Sequence, residues 1–417
     1  MRQSICGRPR DIAGRYGRIL CLVALLAGLN ATSVAAARGD VAATAAPTPA
    51  SLGARIFRDA SLSASGTMAC STCHDPAQAH AQNNTLAVQR GGAASDVPGF
   101  RATPSLRYLN LNLPFFFAKD GTPTGGFTRD GNAPTLLAQA QVPMLAGHEM
   151  ANGDAATVAA RLSAAVYAQD FRRVYGDDIF ADAELALTAA QYSLAAYEQS
   201  APEFHPFDSK FDGFLRGKWQ LSPQELRGFA LFNRPDKGNC ASCHPSTRQA
   251  DGTPPLFTDY SYDNLGVPRN AEIPANADAQ YFDLGLCGRE DLSDRRDLCG
   301  QFKVPTLRNV ATRRVFFHNG YFHALTEALH FYVQRDTNPE KWYPLDAHGE
   351  AQKFNDVPAP LTRNVNSGEA PYNRGLGDRP ALSDAEIDDL IAFLGTLTDG
   401  YDPATGTADP ARDVPEP

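Results

Sequence analysis

The sequence predicts a mainly α-helical chain in which two similar domains are built from short helices and long loops. Three observations carry this. Segments with apolar residues at helical spacing follow capping residues, alternating strand patterns are scarce, and one stretch of the chain repeats about 170 residues further on. The length, 417 residues, suits two domains.

Taken in order, residues 1–37 read as an export signal. Arg2, Arg8, Arg10, Arg15 and Arg18 precede an apolar run, Ile19 to Leu29, that is too short to anchor in a bilayer, and Ala35-Ala36-Ala37 offers a cleavage site. The mature protein is therefore expected in the periplasm after Sec-type export, with no membrane span. Residues 38–50 are rich in Ala, Thr and Pro and read as a flexible linker. Helices are expected after Asp154, after a Thr188/Gln191 capping box, after Ser222-Pro223 with Glu225, and after Ser383 with Glu386. A further helical face is formed by Leu325, Ala328, Leu329 and Tyr332. The domains are expected over 51–204 and 205–400, with 401–417 as a tail. Loops 91–134, 250–300 and 336–380 are too long to be idle connections.

The repeat is LGARIFRDASLSASGTMACSTCH (52–74) against LRGFALFNRPDKGNCASCH (226–244). Each copy ends in Cys-x-x-Cys-His: Cys70, Cys73 and His74, then Cys240, Cys243 and His244. This is the attachment motif for haem c, in which two thiols bond the porphyrin edge and the adjacent His lies beneath the iron. A redox thiol pair does not need the His, and a zinc site needs further Cys or His close by. Two covalently bound haem c groups are expected, one per cytochrome-c-like helical domain. Cys287 and Cys299 are the remaining Cys of the mature chain, and an oxidising compartment favours a disulfide between them.

The formal charge is −9, which speaks against a nucleic-acid partner. What a haem does depends on the far side of its iron: a second strong ligand makes an electron carrier, an open position with proton-handling groups makes a catalyst. The four Met are Met1, Met68, Met144 and Met150, so no Met follows the second motif. That segment offers Tyr332 as a candidate ligand, with a core aromatic as the equal alternative. Near the first motif, Gln139, His148 and Glu149 in LLAQAQVPMLAGHEMANGD are candidate distal groups. A carboxylate in a partly dry pocket can move the proton that peroxide cleavage requires.

Together LSASGTMACSTCH, GHEMANGD, FKVPTLRNVATRRVFFHNG and LSDAEIDDLIAFLGTL resemble the bacterial di-haem cytochrome c peroxidase/MauG family over roughly residues 51–400. The resemblance implies a peroxidase-type oxidoreductase. It implies that hydrogen peroxide reacts at the N-terminal haem and that electrons pass through the C-terminal haem from a protein donor or protein substrate. It implies that Glu149 is the distal acid/base, Gln139 its hydrogen-bonding neighbour, and Tyr332 the second ligand opposite His244, as in the MauG-like branch. No His lies between His80 and His148, so the displaceable distal His of ordinary peroxidases is missing and the first site is expected to be open. His318 and Arg308 resemble residues around the haem propionates and the domain interface. Two departures stand out. Arg129-Asp130-Gly131 replaces the family's Trp-Asp-Gly, with Phe115-Phe116-Phe117 as a candidate source of a replacement aromatic. Ala102 aligns with an Asn that helps hold calcium, which leaves calcium open. A di-haem electron carrier without chemistry of its own is the alternative function.

Overall fold

The computed structural model describes residues 46–412 and 414. The signal segment 1–37 lies outside them. From Pro47 onward the chain clusters as one compact unit. The structure is mainly α. Its longer helices are α1 (Pro49–Arg58), α2 (Leu136–Leu145), α3 (Ala155–Ala164), α4 (Ala168–Tyr175), α5 (Ala183–Ser200), α6 (Lys210–Leu215), α7 (Pro223–Phe232), α8 (Leu325–Gln334) and α9 (Asp384–Gly395). The named strands among the described residues are two residues each and pair antiparallel: 90–91 with 97–98, 116–117 with 123–124, 262–263 with 302–303, and 401–402 with 407–408. No helix of the described residues is long and apolar enough to cross a membrane.

Several helix starts follow the side-chain logic of the sequence. Asp154 accepts from Thr157 N, and Ser222 and Ser383 form reciprocal capping boxes with Glu225 and Glu386. Three expectations differ. Thr188 and Gln191 lie inside α5, because Asp182 caps that helix earlier, accepting from Glu184 N and Leu185 N. The linker ends sooner than Ala50, because Thr48 and Ser51 form a capping box and Pro49 takes the first helical position. Residues 401–412 are not a free tail: they fold back as a hairpin, and Pro410 O accepts from buried Arg107.

Two apolar clusters organise the molecule. One draws on Leu52 to Phe204, with Ile56, Phe57, Leu162, Phe171 and Leu194 at its centre; the other draws on Phe211 to Leu397, with Phe232, Phe257, Phe331 and Phe393. In each, one glycine of the sequence repeat decides how closely two helices cross. A Cβ on Gly53 of α1 would stand 2.0 Å from Ser193 O of α5, and one on Gly228 of α7 would stand 1.9 Å from Asp389 O of α9. Only a residue without a side chain lets these backbones touch. A smaller cluster gathers round Cys287 and Cys299, whose sulfurs are at bonding distance, 2.00 Å.

Candidate functional site: two haem-binding motifs on one cavity

Both Cys-x-x-Cys-His segments open onto a single cavity of about 900 Å³. Cys70–Cys73 is one helical turn and Cys240–Ser242 a tighter one, with Cys70 packed on the first apolar cluster and Cys240 on the second. The four thiols are not joined to one another, and burial pushes them up, Cys70 and Cys240 to about 12 and Cys73 and Cys243 to about 11. Reactive redox thiols sit in the opposite environment, with depressed pKa. Among the described residues no group of three or more His, Cys, Asp or Glu is arranged to hold a bare metal ion. The geometry suits thiols that face a large ligand.

The two histidines are prepared alike. The Nδ1–H of His74 donates to His80 O (3.2 Å) and that of His244 to Phe257 O (2.7 Å), which turns each Nε2 towards a ligand. Burial lowers both, His74 to about 4, so each imidazole is neutral with its lone pair free. The accepting residues have left-handed φ, 55° at His80 and 53° at Phe257. The same two carbonyls also take Leu106 N and Leu307 N. Here a second repeat becomes visible: Pro104-Ser105-Leu106-Arg107 and Pro305-Thr306-Leu307-Arg308. Ser105 Oγ donates to Ala79 O and Thr306 Oγ1 to Leu256 O, and each hydroxyl also accepts from the N–H two residues on. The arginines end in one buried network: Arg107 pairs with Asp399 (2.8 Å), and Arg308 pairs in bidentate fashion with Asp212 (2.9 Å each). This P-[ST]-L-R pair was present in the sequence and was the signal for these supports.

Above the first motif the cavity is lined by Gln139, His148 and Glu149. Gln139 projects from α2. Glu149 is held by its backbone, N to Ala146 O (3.0 Å) and O from Gly92 N (2.8 Å). Its Oε2 is buried without a hydrogen-bond partner, and burial raises the carboxyl to about 7. Gly91 permits this placement, since a Cβ there would lie 2.3 Å from His148 O. Burial lowers His148, which meets Phe100 edge-on at 5.0 Å. Met68 and Met150 also line this part of the wall. One group was not anticipated: Glu198 of α5, 5% exposed, with Oε2 unpartnered and the carboxyl raised by burial to about 8, lies on the wall close enough to Cys70 to raise its thiol further. Its signal was a carboxyl on the Leu187, Gln191, Leu194 stripe of an otherwise apolar helix face.

Around the second motif, Tyr332 of α8 lines the cavity, and burial beside Cys243, Asp263 and Cys240 raises its phenol well above the ordinary range. His330 points elsewhere, towards Asp384 at 3.9 Å. His318 stacks on Phe302 (3.7 Å between centroids, 9° between planes), and its carbonyl accepts from Ala102 N. Arg129 occupies the wall where the resemblance implied Trp, and its Nε donates to Ala102 O at 2.7 Å. Phe115, Phe116 and Phe117 supply no replacement aromatic there. Phe115 packs on Tyr262 under Arg289, and Phe116 and Phe117 are exposed on a hairpin, because the 116–117/123–124 pairing turns them outward.

The cavity wall between the motifs carries Arg129, Lys303 and Arg313, none of which meets a carboxylate within ion-pair distance among the described residues. Burial depresses them to about 9, 8 and 10, aided at Arg129 by repulsion from Arg313 and Arg101 and at Lys303 by repulsion from Arg129. Buried cations without partners are costly. They fit a ligand that brings its own carboxylates, as haem does through its propionates. Facing thiols and prepared imidazoles occur twice over on one apolar-walled cavity with spare cations between them, an arrangement that fits two haems.

Comparison with known proteins agrees. The family model described as di-haem cytochrome c peroxidase matches residues 47–220. The methylamine utilization protein MauG of Paracoccus denitrificans is 37% identical over 91% of this chain and 96% of its own length. MauG of Methylophilus methylotrophus is 30% identical over 84% and 82%. The crystal structure of the diheme peroxidase BthA from Burkholderia thailandensis superposes with a TM-score of 0.77 and 38% identity, covering 87% of this chain and 90% of that one. The chain belongs to the di-haem cytochrome c peroxidase/MauG family and is a peroxidase-type oxidoreductase.

Proposed function

We propose that the protein is a periplasmic enzyme, exported by its 1–37 segment. It carries one covalently attached haem c in each of two domains, 51–204 and 205–400. Hydrogen peroxide is its oxidant, and its reductant is a partner protein, either through an oxidised side chain or through a small redox centre. The single observation that carries this is Glu149: a carboxyl raised by burial to about 7, with an unpartnered oxygen on the wall above the first motif.

Bound haem supplies the iron that takes up peroxide and the redox equivalents that follow. The chain supplies the rest. His74 and His244 present neutral Nε2 atoms, fixed by His80 O and Phe257 O. Glu149 is placed to accept a proton from one peroxide oxygen and hand it to the other, while the electrons for O–O cleavage would come from the bound haem; a group near pH 7 is suited to both halves. Gln139 orients the peroxide. Tyr332, on the same cavity wall as His244, would be a ligand of the second haem; bound as phenolate it would favour oxidised iron, so the second site would store oxidising equivalents until the partner reduces it. Arg129, Lys303 and Arg313 would receive the propionates.

The test is a spectrum of the ferric holoprotein before and after one equivalent of peroxide. One high-spin and one low-spin haem, with a rapid change on peroxide, is the expected result. Two low-spin haems and no reaction would make the protein an electron carrier instead.

A further inference from the structure

Tyr372 has a position that none of the residues above shares. It is 6% exposed, yet it lines both the haem cavity and a separate surface cleft of about 470 Å³. On the inner side its ring is stacked on Tyr332, 6.1 Å between centroids and 30° between planes. On its other flank the fully buried Arg335 guanidinium lies 4.1 Å from the ring centroid. Arg335 is itself fixed by Asp336, Leu265 O and Asn366 O. The ring is thus a clamped wall one side chain thick between the second motif and the outside.

The outer cleft differs in charge from the molecule. Lys353 and Arg335 share Asp336, and Arg374 hydrogen-bonds main-chain carbonyls of Arg379 and Asp236 with no carboxylate in ion-pair range among the described residues. Asp378 is turned back onto Gly375 N (2.8 Å). The cleft lining carries Lys353 and Arg374 against Asp336, one net positive charge on a chain of net charge −9, which favours an anionic partner surface. At its rim Leu376 is 75% exposed, an apolar anchor with nothing packed over it.

We infer that this cleft is the docking site of an acidic redox protein, and that Tyr372, through its stack on Tyr332, is the port by which one electron at a time enters the second haem site. The inference rests on the peroxidase reading above. In each event the partner's centre is oxidised by one electron and the peroxide-oxidised haem site is reduced by one. No bond is made or broken, and neither tyrosine gains or loses a proton. Tyr372 is a positioning residue for the path and does not touch peroxide.

The experiment is sequential-mixing stopped flow on the holoprotein. The first mix, with one equivalent of peroxide, tests the peroxidase reading alone; no spectral change there would defeat that reading and not the port. The second mix adds reduced plastocyanin, an acidic copper protein, and follows the return of its blue absorption. Transfer by the native protein should slow as salt is raised. Arg374→Glu combined with Leu376→Glu, both on the surface, should cut the low-salt rate by about tenfold or more and flatten the salt dependence. Tyr372→Leu should slow transfer while Tyr372→Phe, which keeps the stacked ring, should not. An unchanged rate in the surface double variant, or no transfer from plastocyanin to peroxide-treated native protein, would overturn the inference, whatever Tyr372→Leu does to folding.

Discussion

Replacing Glu149 with Gln keeps the shape of the side chain and removes its proton chemistry. Burial raises the carboxyl from an ordinary value near 4.5 to about 7, and its Oε2 meets no hydrogen-bond donor among the described residues. A displacement of that size corresponds to about 3 kcal/mol in favour of the neutral form. Two consequences have opposite pH signatures. The acid/base must begin as carboxylate to accept the peroxide proton, so the rate of the native protein should rise through pH about 7 and then level. The variant should be slower by about 10²–10⁴ and show no such rise. Stability runs the other way. The folded pKa is raised, so the folded state keeps a proton that the unfolded chain releases. Stability from the neutral carboxyl is fully present below about pH 4.5 and is lost as pH rises through about 7. The amide of the Glu149→Gln variant cannot ionise, so its melting temperature should fall less than that of the native protein across this window. Stopped-flow mixing with peroxide and thermal melts from acid to mildly alkaline pH make both measurements. A variant within about threefold of the native rate, or a native rate independent of pH through 7, would refute the role given to Glu149.

Other outcomes follow from the same geometry. Gly91→Ala forces a Cβ to within 2.3 Å of His148 O, and should cost about 1–3 kcal/mol in a melt and slow peroxide reaction by displacing Glu149. Tyr332→Phe should change the low-spin haem spectrum; an unaltered spectrum would remove Tyr332 from the ligand set. Arg308→Ala leaves Asp212 buried without its bidentate partner, and should lower stability by about 3–5 kcal/mol in denaturant titration.

Much of this was legible in the chain. Cys70–His74 and Cys240–His244 are local signals, since five consecutive residues contain the two thiols, the imidazole and the turn that presents them. Ser222-Pro223-Glu225 and Ser383-Glu386 were equally readable, because a capping box closes within one helical turn. The Thr188/Gln191 box failed for the same reason in reverse: its residues fit the pattern, but Asp182 nucleates the helix six residues earlier and the apolar face of α5 carries it through.

What the sequence determined by itself was the mainly helical class, the two Cys-x-x-Cys-His motifs, the repeat and the short list of candidate distal side chains, all of them properties of neighbours along the chain. Only the tertiary structure decided that both motifs share one cavity, and that Arg129, Lys303 and Arg313 meet there without carboxylates. It alone turned Phe115–Phe117 away from the haem cavity, buried Glu198 beside Cys70, and set Tyr372 in a wall with two faces. Burial and charge pairing depend on residues hundreds of positions apart, and a sequence lists those residues without stating the distances between them.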